Sequence, residues 1–565
     1  MGQSEAVPRE SAAPVEVDWA SPRFDAEADV AVVGGGASGL PAALFCRWLR
    51  NDVILLEKAP RLGGTANKAA FWYWVPDNAR MRELGIDDDV DAFLRYCARL
   101  SCPERYDPDS PTLGMDRWEY DGCRAIHESA SPAAELLAER DALPYRHCEA
   151  VPDYWAELPE DEAPTGRVLV PRDARESMSD GGVNAIRTLS AAAERDGIDI
   201  RTGHRVQRLL VSGGAVVGVE ATTPDGTPVR VRARKAVIFA SGGFTHDVEL
   251  RRNHLSAPVF GGCAAMTNEG DFIRIGAPLG AQLRNMNHAW MCPVPLEKAV
   301  ARDPDMIGMF SVAGDSMIFV DKRGRRVVNE KLPYNELAQT FFEWDATAAE
   351  YPKLVLIQVW DQRSEDHSAS DEYGRLIVGR TGASDDHVLR GDTLEELADA
   401  VRERLARYAS VTGGLALHDD FAATLRASIE RFNQLARDGR DADFGRGERA
   451  VQQLFNGDVR EEPGRSNPTM WPIAPEGPYY AALVTGGTLD TKGGPRTTVD
   501  ARVVDDMEEP IPGLYGVGNC VASVSRRAYW AGGATIGPMT AFAHRAAPAA
   551  DAEPVKGPAL AGAAG

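Results

Sequence analysis

The first apolar run, "ADVAVVGGG" (28–36), is a short β-branched stretch that ends in glycines. It is followed by "ASGLPAALFCRWLR" (37–50), apolar at helical spacing, and by a second continuous apolar run, "NDVILLEKA" (51–59). That order predicts strand, tight turn, helix and buried strand. A parallel α/β sheet is the economical way to bury such a unit. Residues 181–244 predict a helix, a short strand, a meander turning at "PDGT" and a buried strand "AVIFA" entering Ser241-Gly242-Gly243. The pattern then changes. Strand-like "SMIFVD" and "KLVLIQVWD" precede helical "TLEELADAVRERLARYA" and "DDFAATLRASIERFNQLAR", before "GLYGVGN" (513–519) returns to a strand running into glycines.

The pattern predicts a flexible N-terminal tail (1–27) and a nucleotide-binding domain in two parts (28–300 and 476–547). An inserted α+β domain (301–475) would interrupt it, and an Ala/Pro/Gly-rich, disordered tail (548–565) would follow. A chain of 565 residues exceeds what one core holds. With 62 Lys+Arg against 84 Asp+Glu, its net charge of −22 argues against nucleic acid or an anionic membrane as partner. No apolar run reaches the length of a transmembrane segment. The eight cysteines form no Cys-x-x-Cys, and the ten histidines have no metal-ligand spacing. Buried free thiols in a reducing cytoplasm, and no metal, are the expectation.

Gly34-Gly35-Gly36-Ala37-Ser38-Gly39 fits G-x-G-x-x-G between strand and helix. Gly34 would permit the turn, Gly36 the approach of a pyrophosphate, and Gly39 the packing of helix on strand; Ala37 and Ser38 open the helix. Glu57, with Lys58 beside it, follows the second strand, where an acidic side chain accepts hydrogen bonds from a ribose diol. The motif alone does not separate FAD from NAD.

The continuation does. "EKAPRLGGTANKAAFWYWVPDN" (57–78) resembles the FAD-binding domain shared by fumarate reductases, succinate dehydrogenase flavoproteins and 3-ketosteroid dehydrogenases. Further matches lie at Ser241-Gly242-Gly243, at "TNEGDFIRIGAPLGAQL" (267–283) and at "PIPGLYGVGNCVAS" (510–523). The resemblance implies an α/β fold: a Rossmann-like FAD-binding domain with an inserted α+β substrate (cap) domain. It implies FAD contacts at Gly63, Gly64, Thr65, Val206, Asp271, Asn519, Thr535 and Ile536, besides those above. No histidine follows Gly64, where succinate dehydrogenases attach flavin covalently, so the FAD is expected to be non-covalent.

Within that superfamily, "SRRAYWAGGATIGP" (525–538) and "RVVNEKLPYNEL" (326–337) resemble 3-ketosteroid Δ1-dehydrogenases, and "VPDYW" (151–155) aligns with a third tyrosine motif. Desaturation beside a carbonyl needs donors for the developing enolate, a base for the α proton, and a hydride acceptor. The resemblance assigns the donors to the Tyr529 hydroxyl and the Gly533 N–H, and the base to Tyr334, alone or in relay with Tyr154. An ordinary tyrosine titrates near about 10, so a neighbour is expected to lower the base's pKa. The expected substrate is a small apolar cyclic ketone or enone, such as a 3-ketosteroid. Electrons would leave to a quinone, O₂ or a carrier protein. The alternative is a fumarate-reductase-type ene reductase acting on an activated alkene. The departures are Trp530 in place of a proline, and Lys68 with bulky aromatics in place of small residues. "AAFWYWVP" (69–76) reads either as core beneath the flavin or as an apolar wall for a polycyclic guest. Arg526 and Arg527 read either as carboxylate ligands or as ion-pairing loop residues.

Overall fold

The computed structural model describes residues 13–175, 180–308, 314–370, 386–455 and 465–557. Strand Ala26–Val33 anchors the first sheet. It pairs in parallel with Val53–Leu56 on one side and with Pro228–Phe239 on the other. Asp199–Arg201 continues the sheet past Val53–Leu56, and Pro510–Gly516 lies parallel to the end of Pro228–Phe239. The register creates the site. Val33 is level with Leu56 and Phe239, and Phe239 with Gly516. Four parallel strands therefore finish together, and Gly34, Glu57, Ala240 and Val517 are the first residues beyond them. Open α/β sheets bind ligands at such carboxyl ends.

Strand Pro228–Phe239 has two duties. Its first half closes the antiparallel meander with Ala215–Thr222 and Arg205–Ser212, and its second half is all parallel. Helices Gly39–Trp48 and Ile536–Asp551 bury Leu40, Leu44, Ala543 and Ala547 against Val30, Val32 and Val517.

The second sheet has five antiparallel strands: Ala289–Pro295, Tyr479–Thr491, Leu356–Asp361, Met317–Val320 and Leu389–Gly391. Helices Leu394–Arg407 and Phe421–Asp438 lay Leu397, Val401, Leu425 and Phe432 on it. Two of its strands lie outside 301–475. The second unit therefore takes residues from both flanks, because strand pairing rather than the change in composition defines it.

Parts of both expected tails, residues 13–27 and 548–557, are ordered against the first domain. Residues 1–12 and 558–565 lie outside the described residues. Val15–Glu16 pairs with Leu210–Val211, and Trp19 Nε1 donates to Ser212 Oγ at 2.8 Å. At the other end the helix runs to Asp551, and Lys556 is held by the Lys235 carbonyl and by Arg232, which donates to its carbonyl at 2.8 Å. Single anchoring contacts of this kind leave no periodic pattern in a sequence.

Candidate active site

A cavity of about 970 Å³ opens at the four strand ends and continues beneath the second sheet. Its first end is made of backbone. Gly34 has φ of +108°, and a Cβ there would lie 2.4 Å from the Ala240 carbonyl oxygen. A Cβ on Gly39 would lie 1.8 Å from the Gly34 carbonyl oxygen, while one on Gly36 meets only Gly63 O at 3.7 Å. The outer glycines are thus required by the protein itself, and the middle one faces open space. Among the described residues the N–H groups of Gly36, Ala37 and Ser38 make no hydrogen bond, at the amino end of a ten-residue helix. Free amides at a helix start receive phosphate. Glu57 borders the same space, its carboxylate already accepting from Gly35 N at 2.8 Å and Ala59 N at 2.7 Å. These residues fit the pyrophosphate and ribose of FAD.

Of the cofactor residues expected from the sequence, Gly39 and Gly243 do not reach the cavity. Gly39 packs on Gly34, and Gly243 N donates to Asp490 Oδ2 at 2.9 Å. Gly63, Gly64, Thr65, Val206, Ser241, Gly242, Asn519, Thr535 and Ile536 all line it. Lys58 and Asp271 line it too, as a neutralised cluster: Lys58 Nζ reaches Asp271 Oδ2 at 2.9 Å and Glu269 at 2.5 Å, and Arg205 reaches Asp271 Oδ1 at 2.8 Å.

The far end is made of side chains. Tyr334 starts the helix Tyr334–Thr340, Tyr154 comes from the segment between the paired strands Tyr145–His147 and Val168–Pro171, and Tyr529 lies shortly before the helix Ile536–Asp551. Their ring centroids form a triangle with sides of 5.2, 5.5 and 5.6 Å. The Tyr154 hydroxyl donates to Tyr334 Oη at 2.6 Å, Tyr334 also hydrogen-bonds Tyr529, and Thr535 Oγ1 donates to Tyr529 Oη at 3.1 Å. The Trp530 carbonyl accepts from Tyr154 N at 3.0 Å and from Tyr96 Oη at 2.7 Å. A backbone bond thereby ties the Tyr529 loop to Tyr154.

Gly533 lines the same end with φ of +88°. A Cβ there would lie 2.6 Å from the Trp72 carbonyl, and one on Gly532 2.3 Å from the Trp72 ring. These glycines are imposed by packing on the Trp72 segment, a reason the sequence alone did not supply. The Gly533 carbonyl accepts from Trp74 N at 3.1 Å, while among the described residues its N–H makes no hydrogen bond.

Burial raises the pKa of all three phenols. For Tyr334 the neighbouring phenols raise it further, so the expected neighbour that lowers it is not found. Only Tyr529 and Tyr154 have hydrogen bonds that act the other way.

Sequence reasoning missed several residues here. Asp490, fully buried, accepts from Gly243 N, Thr245 Oγ1 at 3.0 Å, Asn268 Nδ2 at 2.7 Å and Asn519 Nδ2 at 3.3 Å, and so knits both domains at the cavity wall. Lys492, also buried, stands 3.7 Å over the Trp290 ring and donates to the Ala528 carbonyl; Trp290 meets Tyr529 edge-on at 4.8 Å. Within a strand pattern nothing marked either residue. The aromatic patch divides: Tyr73 and Trp74 are core, whereas Phe71 and Trp72 face the cavity. Arg526 pairs with Glu104 and Glu119, and Arg527 donates to Gln339, so neither arginine faces the cavity. Among the described residues no helix is long and apolar enough to cross a membrane, and no cluster of three metal-ligating side chains occurs.

The chain matches the family model described as FAD binding domain over residues 29–536, and it belongs to that family. It is 30% identical to the 4-oxocyclohexanecarboxylate 2-dehydrogenase of Sinomonas cyclohexanicum, over 92% of each chain. It is 29% identical to the 3-oxosteroid 1-dehydrogenase of Mycobacterium tuberculosis, over 92% of this chain and 98% of that one. The crystal structure of 3-ketosteroid Δ1-dehydrogenase from Sterolibacterium denitrificans superposes with a TM-score of 0.76 at 25% identity, covering 93% of this chain and 99% of that one.

Proposed function

We propose that this protein is an FAD-dependent dehydrogenase that desaturates a cyclic ketone next to its carbonyl. The observation that carries the proposal is the meeting, in one cavity that continues to the dinucleotide cradle, of three phenols from three separate segments with a backbone N–H that has no partner among the described residues. Full-length likeness to dehydrogenases of oxocyclohexanecarboxylate and 3-oxosteroids supports it.

Tyr529 Oη and Gly533 N hold the ketone oxygen and stabilise the negative charge that develops on it. Such a donor pair lowers the barrier most where water is excluded, and each donor is worth on the order of 3 kcal/mol. Thr535 and Trp290 fix the Tyr529 ring so that its hydroxyl points into the cavity. The α proton passes to the phenolate form of the Tyr334–Tyr154 pair, whose oxygens stand 2.6 Å apart and share the negative charge until the transfer leaves two neutral phenols. Trp72, Leu489 and Phe455 form the apolar walls. Bound FAD supplies the hydride acceptor. The first sheet with its meander forms the FAD domain, and the second sheet with its helices forms the substrate cap. Electrons pass on to an external quinone, O₂ or carrier protein. Seven of the eight free cysteines are buried, in keeping with a reducing cytoplasm.

Anaerobic mixing tests the proposal. A saturated cyclic ketone, such as a 3-oxosteroid or methyl 4-oxocyclohexanecarboxylate, bleaches the oxidised flavin. Bleaching by no ketone, together with re-oxidation of reduced flavin by enones, would establish the ene-reductase reading instead.

A further inference from the structure

Among the described residues, four cationic or histidine side chains border the cavity. Lys58 and Arg205 belong to the neutralised cluster with Glu269 and Asp271, and His204 Nδ1 bonds the Thr202 carbonyl at 2.8 Å. All three stand beside Glu57, at the cradle end. Lys68 differs in both respects. It closes the short helix Gly64–Lys68, is half-buried, and among the described residues makes one hydrogen bond, from Nζ to the Pro304 carbonyl at 2.7 Å. It has no ion pair among the described residues: Asp303 and Asp305 are near enough to act on it electrostatically but not to pair with it. Burial costs its charge and lowers its pKa, the signature of an ammonium short of an anion.

Lys68 also connects to the tyrosines: Cys263, near enough to act on it electrostatically, belongs to one buried cluster with Cys292, Trp290 and the three phenols. Trp72, Ile307, Leu489 and Phe455 add apolar walls to the cavity. Among the described residues the cavity therefore offers two hydrogen-bond donors for a ketone, apolar walls, and one under-compensated cation. On a chain carrying −22, an anion entering here needs such a local counter-charge.

Resting on the function proposed above, we infer that Lys68 is a carboxylate anchor and that the substrate class is cyclic keto acids, with the ketone at Tyr529 and the acid at Lys68. Two relatives, the 4-oxocyclohexanecarboxylate 2-dehydrogenase and the 4-oxocyclohex-2-ene-1-carboxylate 5-dehydrogenase of Sinomonas cyclohexanicum, are named for ring ketones bearing a carboxylate. An ammonium–carboxylate hydrogen bond in a partly desolvated pocket is worth about tenfold in affinity over a neutral ester in the same place.

The test is calorimetric titration of the oxidised holoprotein at neutral pH with 4-oxocyclohexanecarboxylate and with its methyl ester. The wild type is expected to bind the acid about tenfold more tightly, Lys68→Arg to keep the preference, and Lys68→Met to bind acid and ester alike while retaining full FAD absorbance. Equal affinity of the wild type for acid and ester, or an undiminished preference in Lys68→Met, would overturn the inference. The wild-type ratio decides even if the methionine variant folds poorly. Flavin bleaching, read in the same samples, keeps the two claims apart. Bleaching by the ester without any preference for the acid sinks the anchor alone. Preference for the acid without bleaching by either sinks the proposed reaction alone.

Discussion

The two ends of the cavity differ in material. The dinucleotide end is backbone: glycines at positive φ, helix-start amides, and strand ends aligned by register. The ketone end is mostly side chain: three phenols, a tryptophan and a lysine brought in from four segments, with the backbone N–H of Gly533 beside them. A backbone site is dictated by sterics, and a single added methyl decides its fate. A side-chain site is dictated by burial and by the hydrogen bonds each group finds, so its substitutions grade the chemistry and leave the fold intact.

The sharpest break between the ends is Gly39→Ala. With its Cβ 1.8 Å from the Gly34 carbonyl, it is expected to give little or no flavin-containing protein, read as the ratio of flavin to protein absorbance. Tyr529→Phe, at the other end, should keep its FAD and lose roughly 10²–10³-fold in the rate of flavin reduction by a ketone, measured by stopped flow. Gly36→Ala sharpens the contrast within the cradle. Its Cβ meets nothing closer than 3.7 Å in the protein, so the apoprotein should fold normally but bind FAD about tenfold or more weakly in a fluorescence titration.

The pH profile is the next effect in size. Burial and the neighbouring phenols hold Tyr334 and Tyr154 well above the ordinary tyrosine value, so the proton-accepting form is scarce at neutrality. Flavin reduction should therefore climb with pH, by about tenfold per unit on the acid side, and still be rising near pH 9. A profile flat from pH 7 to 9 would remove the pair from proton abstraction. The smallest effect is Thr535→Val. It removes one 3.1 Å hydrogen bond to Tyr529 and should slow reduction about fivefold per bound FAD.

The same difference in material governs what is legible in the sequence. Gly34, Gly36, Gly39 and Glu57 are readable because closely spaced glycines between a strand and a helix answer a local steric demand, with the acidic residue at a fixed distance beyond them. Tyr529, Tyr334 and Tyr154 stand out only through motif resemblance, since nothing intrinsic separates them from packing tyrosines. They do converge. Asp490 and Lys492 stay hidden because their significance comes from strand Tyr479–Thr491 crossing from the second sheet to the cavity wall, a long-range fact. For the same reason the second unit is larger than the sequence pattern suggests: strand pairing joins Ala289–Pro295 to Tyr479–Thr491 across nearly 200 residues of chain. The glycines at 532 and 533 are legible as unusual, but their cause, the Trp72 segment, is not.

The central claim is that one ketone oxygen sits between Tyr529 Oη and Gly533 N. A crystal structure of the oxidised holoprotein with a bound cyclic enone measures this directly. The account predicts the enone oxygen at about 3 Å from both atoms. An enone bound with its oxygen toward the cradle or the Lys68 side, and the Gly533 N–H left facing a methylene, would contradict it.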